Sequence, residues 1–496
     1  MGIVAAERWD VVVVGAGNAA LSAALSAREN GASVLVLEKA PRTSRGGDTA
    51  FTGGLFRFPF DGIEQFPALV PDYSQDELDA VEVGRYTQQD YADDMDRVTE
   101  GLADPELVDT LVTLAYPTMV WLRQRGVRWL LATGRQAFKV GAKHVFFGNL
   151  IVEANGGGQG LSDSLFEIAE QAGIAILYET KATRLETDQR GAVIGIEVQD
   201  RDGRRSIGCG SVVLAAGGFQ ANAEMRSRYL GADWELAKVR GTRHNTGDAI
   251  RMALDIGAQP YGHWSSCHAV AWDLLAPLVG DLRVGDLYQK HSYPLGIVVN
   301  RDGKRFVDEG ADFRNYTYAK YGREILRQPG RRAFQVFDAK TIPLLRDEYR
   351  VRGATKARGD TLEELADQFV IDPLGLRETV DQFNAAIQDR EFNPAVLDGK
   401  GTRGISPPKS NWALPISDPP FEAYAVTCGI TFTFGGLRID RHCRVLDTED
   451  RPIPNLYAAG EMVGGLFYYN YPGGAGLMAG AVFGRQAGAS AARGGE

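Results

Sequence analysis

From Trp9 to Glu38 the chain reads WDVVVVGAGNAALSAALSARENGASVLVLE, an order of residues that few folds accommodate. Four valines follow Asp10, as in a strand buried on both faces, and Gly15, Gly17 and Ala20 then open an alanine-rich helix. Gly15 permits a sharp bend, Gly17 removes a side chain where a pyrophosphate meets the helix N-terminus, and Ala20 lets helix pack closely on strand. Gly31 closes the helix, residues 34–37 rebuild a buried strand, and Glu38 stands where an acid accepts hydrogen bonds from ribose hydroxyls. Strand, turn, helix, strand and acid in that order predict a dinucleotide site, without separating FAD from NAD.

At 496 residues the chain exceeds one ordinary domain, so two or three are expected. Its residues are 44% hydrophobic with no charge-free run long enough to span a bilayer, so stable membrane insertion is not expected. A formal charge of -10 with no basic block argues against nucleic acid as a partner. Residues 1–7 leave no room for a secretory signal before the first strand, which makes the cytoplasm the expected compartment. Cys209, Cys267, Cys428 and Cys443 are scattered without CxxC, haem or zinc spacing, so reduced packing cysteines and no metal are expected.

Beyond the first strand pair, Arg45 to Gly54 (RGGDTAFTGG) offers glycines and hydroxyls suited to backbone amides lying against a flavin and its diphosphate. The acidic stretch 71–101 reads as a solvated helix with a tyrosine-bearing inner face, and Asp104-Pro105 starts another helix. Arg135, Lys139, Lys143 and His144 form a cationic run that is either a solvated loop or faces a carboxylate. A helix over 161–172, a strand over 174–178, and strands over 193–198 and 211–215 joined through the hairpin signal Asp202-Gly203 follow. The last strand ends in a second glycine turn at Gly217, and two such turns favour FAD over a simple NAD enzyme.

From about Gly262 to Phe432 the texture changes to longer mixed segments, with a Thr361–Glu364 capping box and a further helix over 376–387. Near the C-terminus, Glu461 follows a short strand and would suit a ribityl hydroxyl, while residues 473–478 open a small-residue helix whose amides can face a flavin ring. The fold expected is therefore α/β: a Rossmann-like FAD-binding domain formed by residues 1–261 and 433–496, with an inserted α+β capping domain over 262–432. Its predicted cofactor contacts are Gly15, Gly17, Asn18, Ala19 and Ala20, then Glu38 and Lys39. Gly46, Gly47, Asp48, Thr52, Gly53 and Gly54 extend the set, as do Ala182, Gly217 and Asp248. Glu461, Gly476, Leu477 and Met478 complete it.

Taken together, the N-terminal turn, RGGDTAFTGG, LAAGGF, TRHNTGDA, VVNRDGKRFVDE, TFGGL and LYAAGEMVGG resemble the flavoprotein superfamily of fumarate reductases and succinate dehydrogenases along the whole chain. Within it, EGADFRNYTYAKYG (309–322) and MVGGLFYYNYPGGAGLMAGAVFGR (462–485) look most like FAD-dependent tricarballylate dehydrogenases. The resemblance implies hydride transfer between flavin N5 and a carbon of a C–C bond, with substrate between the FAD domain and a mobile cap. It places Arg314 in the role of proton-handling arginine, although arginine's intrinsic pKa lies above ~12. Two positions depart from the fumarate reductase pattern: Phe432 stands for a substrate-binding histidine and Tyr471 for an arginine, which makes plain fumarate reduction a poor expectation. The histidine that succinate dehydrogenases bond to FAD has no counterpart in 45–54, so a noncovalent flavin is implied.

Fixed charge must orient the carboxylates of an unactivated acid. Candidates are Arg57, Arg135, Lys139, Lys143, Arg243, His244, His263, His268 and His291. His244 is favoured beside Arg314 and Tyr471 as catalytic, with Arg243, His268, His291, Phe432, Tyr469 and Gly474 binding substrate. By resemblance to 3-ketosteroid dehydrogenases, Tyr471 could instead polarise a ketone, and a flavin-fold binding protein without catalysis is a third alternative. With no haem or iron–sulfur ligands in the sequence, a separate partner protein, quinone or oxygen is expected to accept the electrons.

Overall fold

The computed structural model describes residues 8–494; the expectation for Met1–Glu7 lies outside them. Val11 to Val14 are buried in the strand Arg8–Val14, which pairs in parallel with Val34–Leu37, Val13 opposite Val36. On its other side lies the end of Gly203–Leu214, Val12 opposite Val212. Ala175–Leu177 adds beyond Val34–Leu37, and Pro452–Ala458 adds beyond Gly203–Leu214. Apolar runs at the centre of this parallel layer are what strands without a solvent face require. The arrangement is the expected mixed α/β, Rossmann-like one, and its last strand arrives from the far end of the chain.

Gly203–Leu214 is longer than the strand predicted over 211–215. Its first half pairs antiparallel with Val193–Asp200 through the expected hairpin, and Lys181–Thr187 continues that extension. Residues 203–206 are exposed and polar, so the apolar run marked only the buried half. The single helix expected over 71–101 is instead two, Gln75–Asp79 and Gln88–Thr99, with the strand Val81–Glu82 between them. Ser74 with Glu77 and Thr87 with Asp90 each complete a reciprocal cap, and two caps mean two helix starts.

A second sheet is organised on Phe421–Leu437. Its latter part pairs antiparallel with Pro260–Asp273, from Pro260 opposite Leu437 to Asp273 opposite Val426, and its first part pairs with Arg332–Phe337 and Lys356–Gly359. The two long strands form a continuous ribbon, so the boundaries 261/262 and 432/433 both fall inside strands. Helices Leu362–Phe369 and Pro373–Ala386 bury Leu365, Leu376, Val380 and Phe383 in a core distinct from that of the parallel layer. Thr361 caps the first by accepting from the Glu364 amide, while Glu364 accepts from Asp360 rather than returning to Thr361.

The two ends of the chain meet helix to helix. Asn18–Glu29 packs on Ala475–Arg493, where a Cβ added at Gly484 would lie 2.3 Å from the Ala19 oxygen and one at Gly488 2.0 Å from the Ala23 oxygen. Only glycine admits so close an approach. All four cysteines are free and buried. Among the described residues no helix is long and apolar enough to cross a membrane.

Candidate active site

A cleft with about 1980 Å3 of empty space, part of it open to solvent, runs from the Gly15 turn to the start of Ala475–Arg493. Gly15 has φ 103°, and a Cβ there would lie 2.4 Å from the Ala215 oxygen, so the turn is closed against the neighbouring strand by glycine alone. Helices Asn18–Glu29 and Ala475–Arg493 start at Gly17 and Gly474, which bring no capping side chain of their own; Thr49 Oγ1 takes the Asn18 amide at 2.9 Å and the Pro472 oxygen that of Ala475, and Ala19 and Gly476 line the cleft beyond them. Asn18 ties the two starts together, its Nδ2 donating to the Leu477 oxygen at 2.7 Å, and its own Oδ1 is buried without a partner. Two glycine starts facing one cleft fit a dinucleotide's phosphates at one and an electron-rich ring at the other.

Most of the predicted cofactor contacts line this cleft: Gly15, Gly17, Asn18, Ala19, Glu38 and Lys39, then Gly47, Asp48, Thr52 and Gly53, then Ala182, Gly217, Asp248, Glu461, Gly476 and Leu477. Ala20, Gly46, Gly54 and Met478 do not. Ala20 and Met478 are wholly buried in the core, and Gly46 and Gly54 abut Ser162 and Gly157 in the packing behind the wall. Lys39 Nζ donates to Asp248 at 2.8 Å and Thr246 at 2.7 Å. Burial opposes the Asp248 charge, but hydrogen bonds from Lys39, Thr246 and Lys181 outweigh it and hold that carboxyl well below its ordinary range.

Deeper in, Gln220 Nε2 donates to both Asp48, at 2.6 Å, and Glu461, at 3.1 Å. The Thr242 amide binds Asp48 and the Thr433 amide binds Glu461, each at 2.8 Å. Burial pushes Asp48 up to about 7, and burial with the Asp48 charge pushes Glu461 up to about 8. The two carboxyls therefore hold a proton between them near neutrality.

At the other end the cleft is cationic. Asp286 takes Arg240 at 2.5 Å and Arg135 at 3.1 Å, and Gln289 donates to it at 2.6 Å. Arg314 Nη2 and Arg346 Nη1 both donate to the main-chain oxygen of Arg135, and neither guanidinium has an ion pair among the described residues. Burial lowers the pKa of both, Arg346 furthest because Arg314 adds repulsion. Glu348 and, beside Arg135, Glu153 are the further acids, so the cluster sets four guanidiniums against three carboxylates. His268 and His291 are buried beside it and depressed well below the ordinary histidine value, by burial and then by Arg240 for His268 and by Arg314 for His291, so both are neutral. Both ring nitrogens of His268, Nε2 of His291 and Nε of Arg314 lack hydrogen-bond partners among the described residues.

Phe432 meets Tyr471 and His268 edge to face, at 5.1 Å and 5.2 Å, the Tyr471 ring is tilted against His268 at 4.8 Å, and the Tyr471 hydroxyl bonds that of Tyr318. Arg314, Tyr471, His268, His291, Phe432 and Gly474 thus share one cleft. His244 also lines it, but its charged neighbours are Lys39 and Arg243, at the dinucleotide-turn end rather than beside Arg314. Arg243 is exposed and outside the lining, and Tyr469 is 36% exposed, its amide donating to His263 Nδ1 at 3.1 Å. Arg57 is spent structurally: it donates to Tyr86, Tyr316, Gly148 and Gly473 and is wholly buried. Lys139 and Lys143 are exposed. Sequence reasoning missed Arg346, Asp286 and Glu348; Tyr318, Arg240 and Gln220 stood inside or beside motifs already singled out, and only their burial distinguishes them.

The profile of the FAD binding domain family matches residues 10–477, and the chain belongs to that family. A probable fumarate reductase of Shewanella frigidimarina is 31% identical to it over 496 aligned residues, covering 98% of this chain and 75% of that one. A 3-oxosteroid 1-dehydrogenase of Mycolicibacterium smegmatis is 28% identical, covering 95% of each chain. The open conformation of a flavocytochrome c3 fumarate reductase superposes with a TM-score of 0.72 at 26% identity, over 98% of this chain and 78% of that one. The chain is an FAD-dependent oxidoreductase acting on CH–CH groups, and the reading of a binding protein without catalysis is set aside.

Proposed function

We propose that the substrate is a polycarboxylate of the tricarballylate type, dehydrogenated at a C–C bond between its carboxylates. The observation that carries this is the half-buried pair Arg314 and Arg346, which line the cleft and have no ion pair among the described residues. A buried charge without a partner is costly, and the substrate's carboxylates would supply the missing negative charge. The relatives named above are not tricarballylate dehydrogenases, so this finer assignment rests on residues 309–322 and 462–485 and on the excess of guanidinium.

FAD, when bound, supplies the hydride acceptor or donor at N5 of its ring. The helix starts at Gly17 and Gly474 would hold its phosphates and ring, Glu38 its ribose, and Glu461 its ribityl chain. To take the proton from the carbon next to the one losing hydride, Arg314 must first give up its own; burial lowers its pKa in that direction, and the carboxylate charge is then held by Arg346. Arg346, with the neutral His268 and His291, orients the carboxylates, and residues 262–432 close over residues 1–261 and 433–496 to exclude water. Electrons then pass to a separate acceptor: a partner protein, a quinone or oxygen.

A second reading is favoured by the Tyr318–Tyr471 hydroxyl pair, which could polarise a ketone so that its neighbouring C–H becomes acidic. One experiment separates the two. Purified protein, yellow with flavin, is mixed anaerobically with tricarballylate, succinate and saturated cyclic ketones, and bleaching is followed. Bleaching by tricarballylate is expected; bleaching by ketones alone would transfer the assignment to the second reading.

A further inference from the structure

A second cavity, with about 970 Å3 of empty space partly open to solvent, adjoins the first. His291, Arg314 and Arg346 line both, so the two chambers meet at these side chains. The outer chamber lies between the hairpin Ala137–Phe146 and loops of residues 292–295, 344–347 and 412. One wall is a run of aromatic faces, while Lys139, His144 and Asp347 also reach the lining. Phe138 stacks on Phe147 at 5.3 Å, Phe147 on Phe313 at 5.7 Å, and Phe313 leans on Trp412 at 5.8 Å. Leu344 and Leu345 complete the wall, Leu344 being 40% exposed.

A compact polycarboxylate held by Arg314 and Arg346 would leave this chamber filled with water against aromatic faces, an unfavourable contact. We propose that the outer chamber is a tail subsite, so that an acid of the kind proposed above is taken more tightly when it bears an apolar ring-containing substituent. The acid head lies in the inner cleft, the junction residues meet its carboxylate, and the ring rests among Phe138, Phe147, Phe313 and Leu344. The Arg346 guanidinium, 5.6 Å from the Phe147 ring centre, stands where charge gives way to aromatic surface. This deepens the acid reading above and rests on it for the head group only; the tail subsite is independent of which oxygen function reacts.

The test is anaerobic titration of the holoenzyme, following perturbation of the flavin spectrum. 2-Benzylsuccinate is compared with succinate, and 4-phenylcyclohexanone with cyclohexanone. The ring-bearing member of at least one pair is expected to bind tighter by about tenfold or more, the value of burying a ring. Phe138→Ala and Leu344→Ala, both at partly open positions, should each remove much of that gain while the ringless partner stays within about twofold. Absence of a gain in both pairs, or variants that weaken ringed and ringless ligands alike, overturns the tail subsite. Binding of ketones but neither acid would overturn the acid head and leave the tail subsite standing on the ketone pair.

Discussion

The hydroxyls of Tyr318 and Tyr471 hydrogen-bond to each other across 153 positions of chain. Burial raises the pKa of both, that of Tyr471 well above the ordinary phenol, so both are protonated at any physiological pH, one hydroxyl donating to the other. If an acid is the substrate, they shape the cleft beside Phe432 and His268 and do not exchange the proton. Tyr471→Phe should then lower flavin reduction by tricarballylate by no more than about tenfold, the scale of one lost hydrogen bond. A loss of about a hundredfold or more in stopped-flow reduction would place Tyr471 in the chemistry.

Arg314 gives the opposite expectation. Arg314→Lys keeps a positive charge, so substrate should still perturb the flavin spectrum, while the reduction rate falls about 10²- to 10⁴-fold. The remaining rate should follow a different pH profile, since lysine titrates lower than arginine. Near-normal turnover would remove Arg314 from proton transfer and leave Arg346 as the next candidate.

The carboxyl pair Asp48 and Glu461 predicts a stability that falls with rising pH. Their folded pKa values, about 7 and about 8, lie above those of free carboxyls, so the folded chain binds more protons than the unfolded one between about pH 4 and pH 8. The contribution is fully present at acid pH and is lost as pH rises through the folded values. Asp48→Asn removes the competition for the proton. The thermal midpoint of wild type relative to this variant should therefore drop between pH 5 and pH 9, and a constant difference would contradict the shared proton.

Gly488 lies where any side chain strikes the Ala23 carbonyl. Gly488→Ala should cost about 1–3 kcal/mol through overpacking between Asn18–Glu29 and Ala475–Arg493. Because both helix starts face the flavin cleft, the variant should also lose flavin faster on dilution. Unchanged unfolding and unchanged flavin retention would contradict this.

Acid precipitation offers a direct check on the cofactor linkage. No histidine occurs between Arg45 and Gly54, and all flavin absorbance is expected in the supernatant. Flavin remaining with the pellet would indicate a covalent bond elsewhere.

What the sequence discloses is what is local. The Gly15 turn and both helix starts are legible because a strand, a bend and a helix cap each leave their marks within a few residues. The same holds for the Asp202-Gly203 hairpin. The polar half of Gly203–Leu214 escaped because its pairing replaces an apolar pattern. Arg314 was found only through resemblance, since nothing near it in sequence distinguishes it from other arginines. Arg346, Asp286 and Glu348 carry no local signal; their significance comes from burial against Arg135 and Arg240, which tertiary packing alone creates. His244 illustrates the converse, for a telling turn motif placed it at the dinucleotide-turn end of the cleft, away from Arg314.

The seating of Ala475–Arg493 on Asn18–Glu29 also sets a schedule for the nascent chain. The Gly15 turn leaves the ribosome early, yet its partner helix is translated on the order of a minute later at ordinary elongation rates. Until then the alanine face of the first helix has no cover, and a nucleotide would find only half of its cradle. Cofactor capture is thus postponed until residues 475–493 have emerged and seated on the first helix.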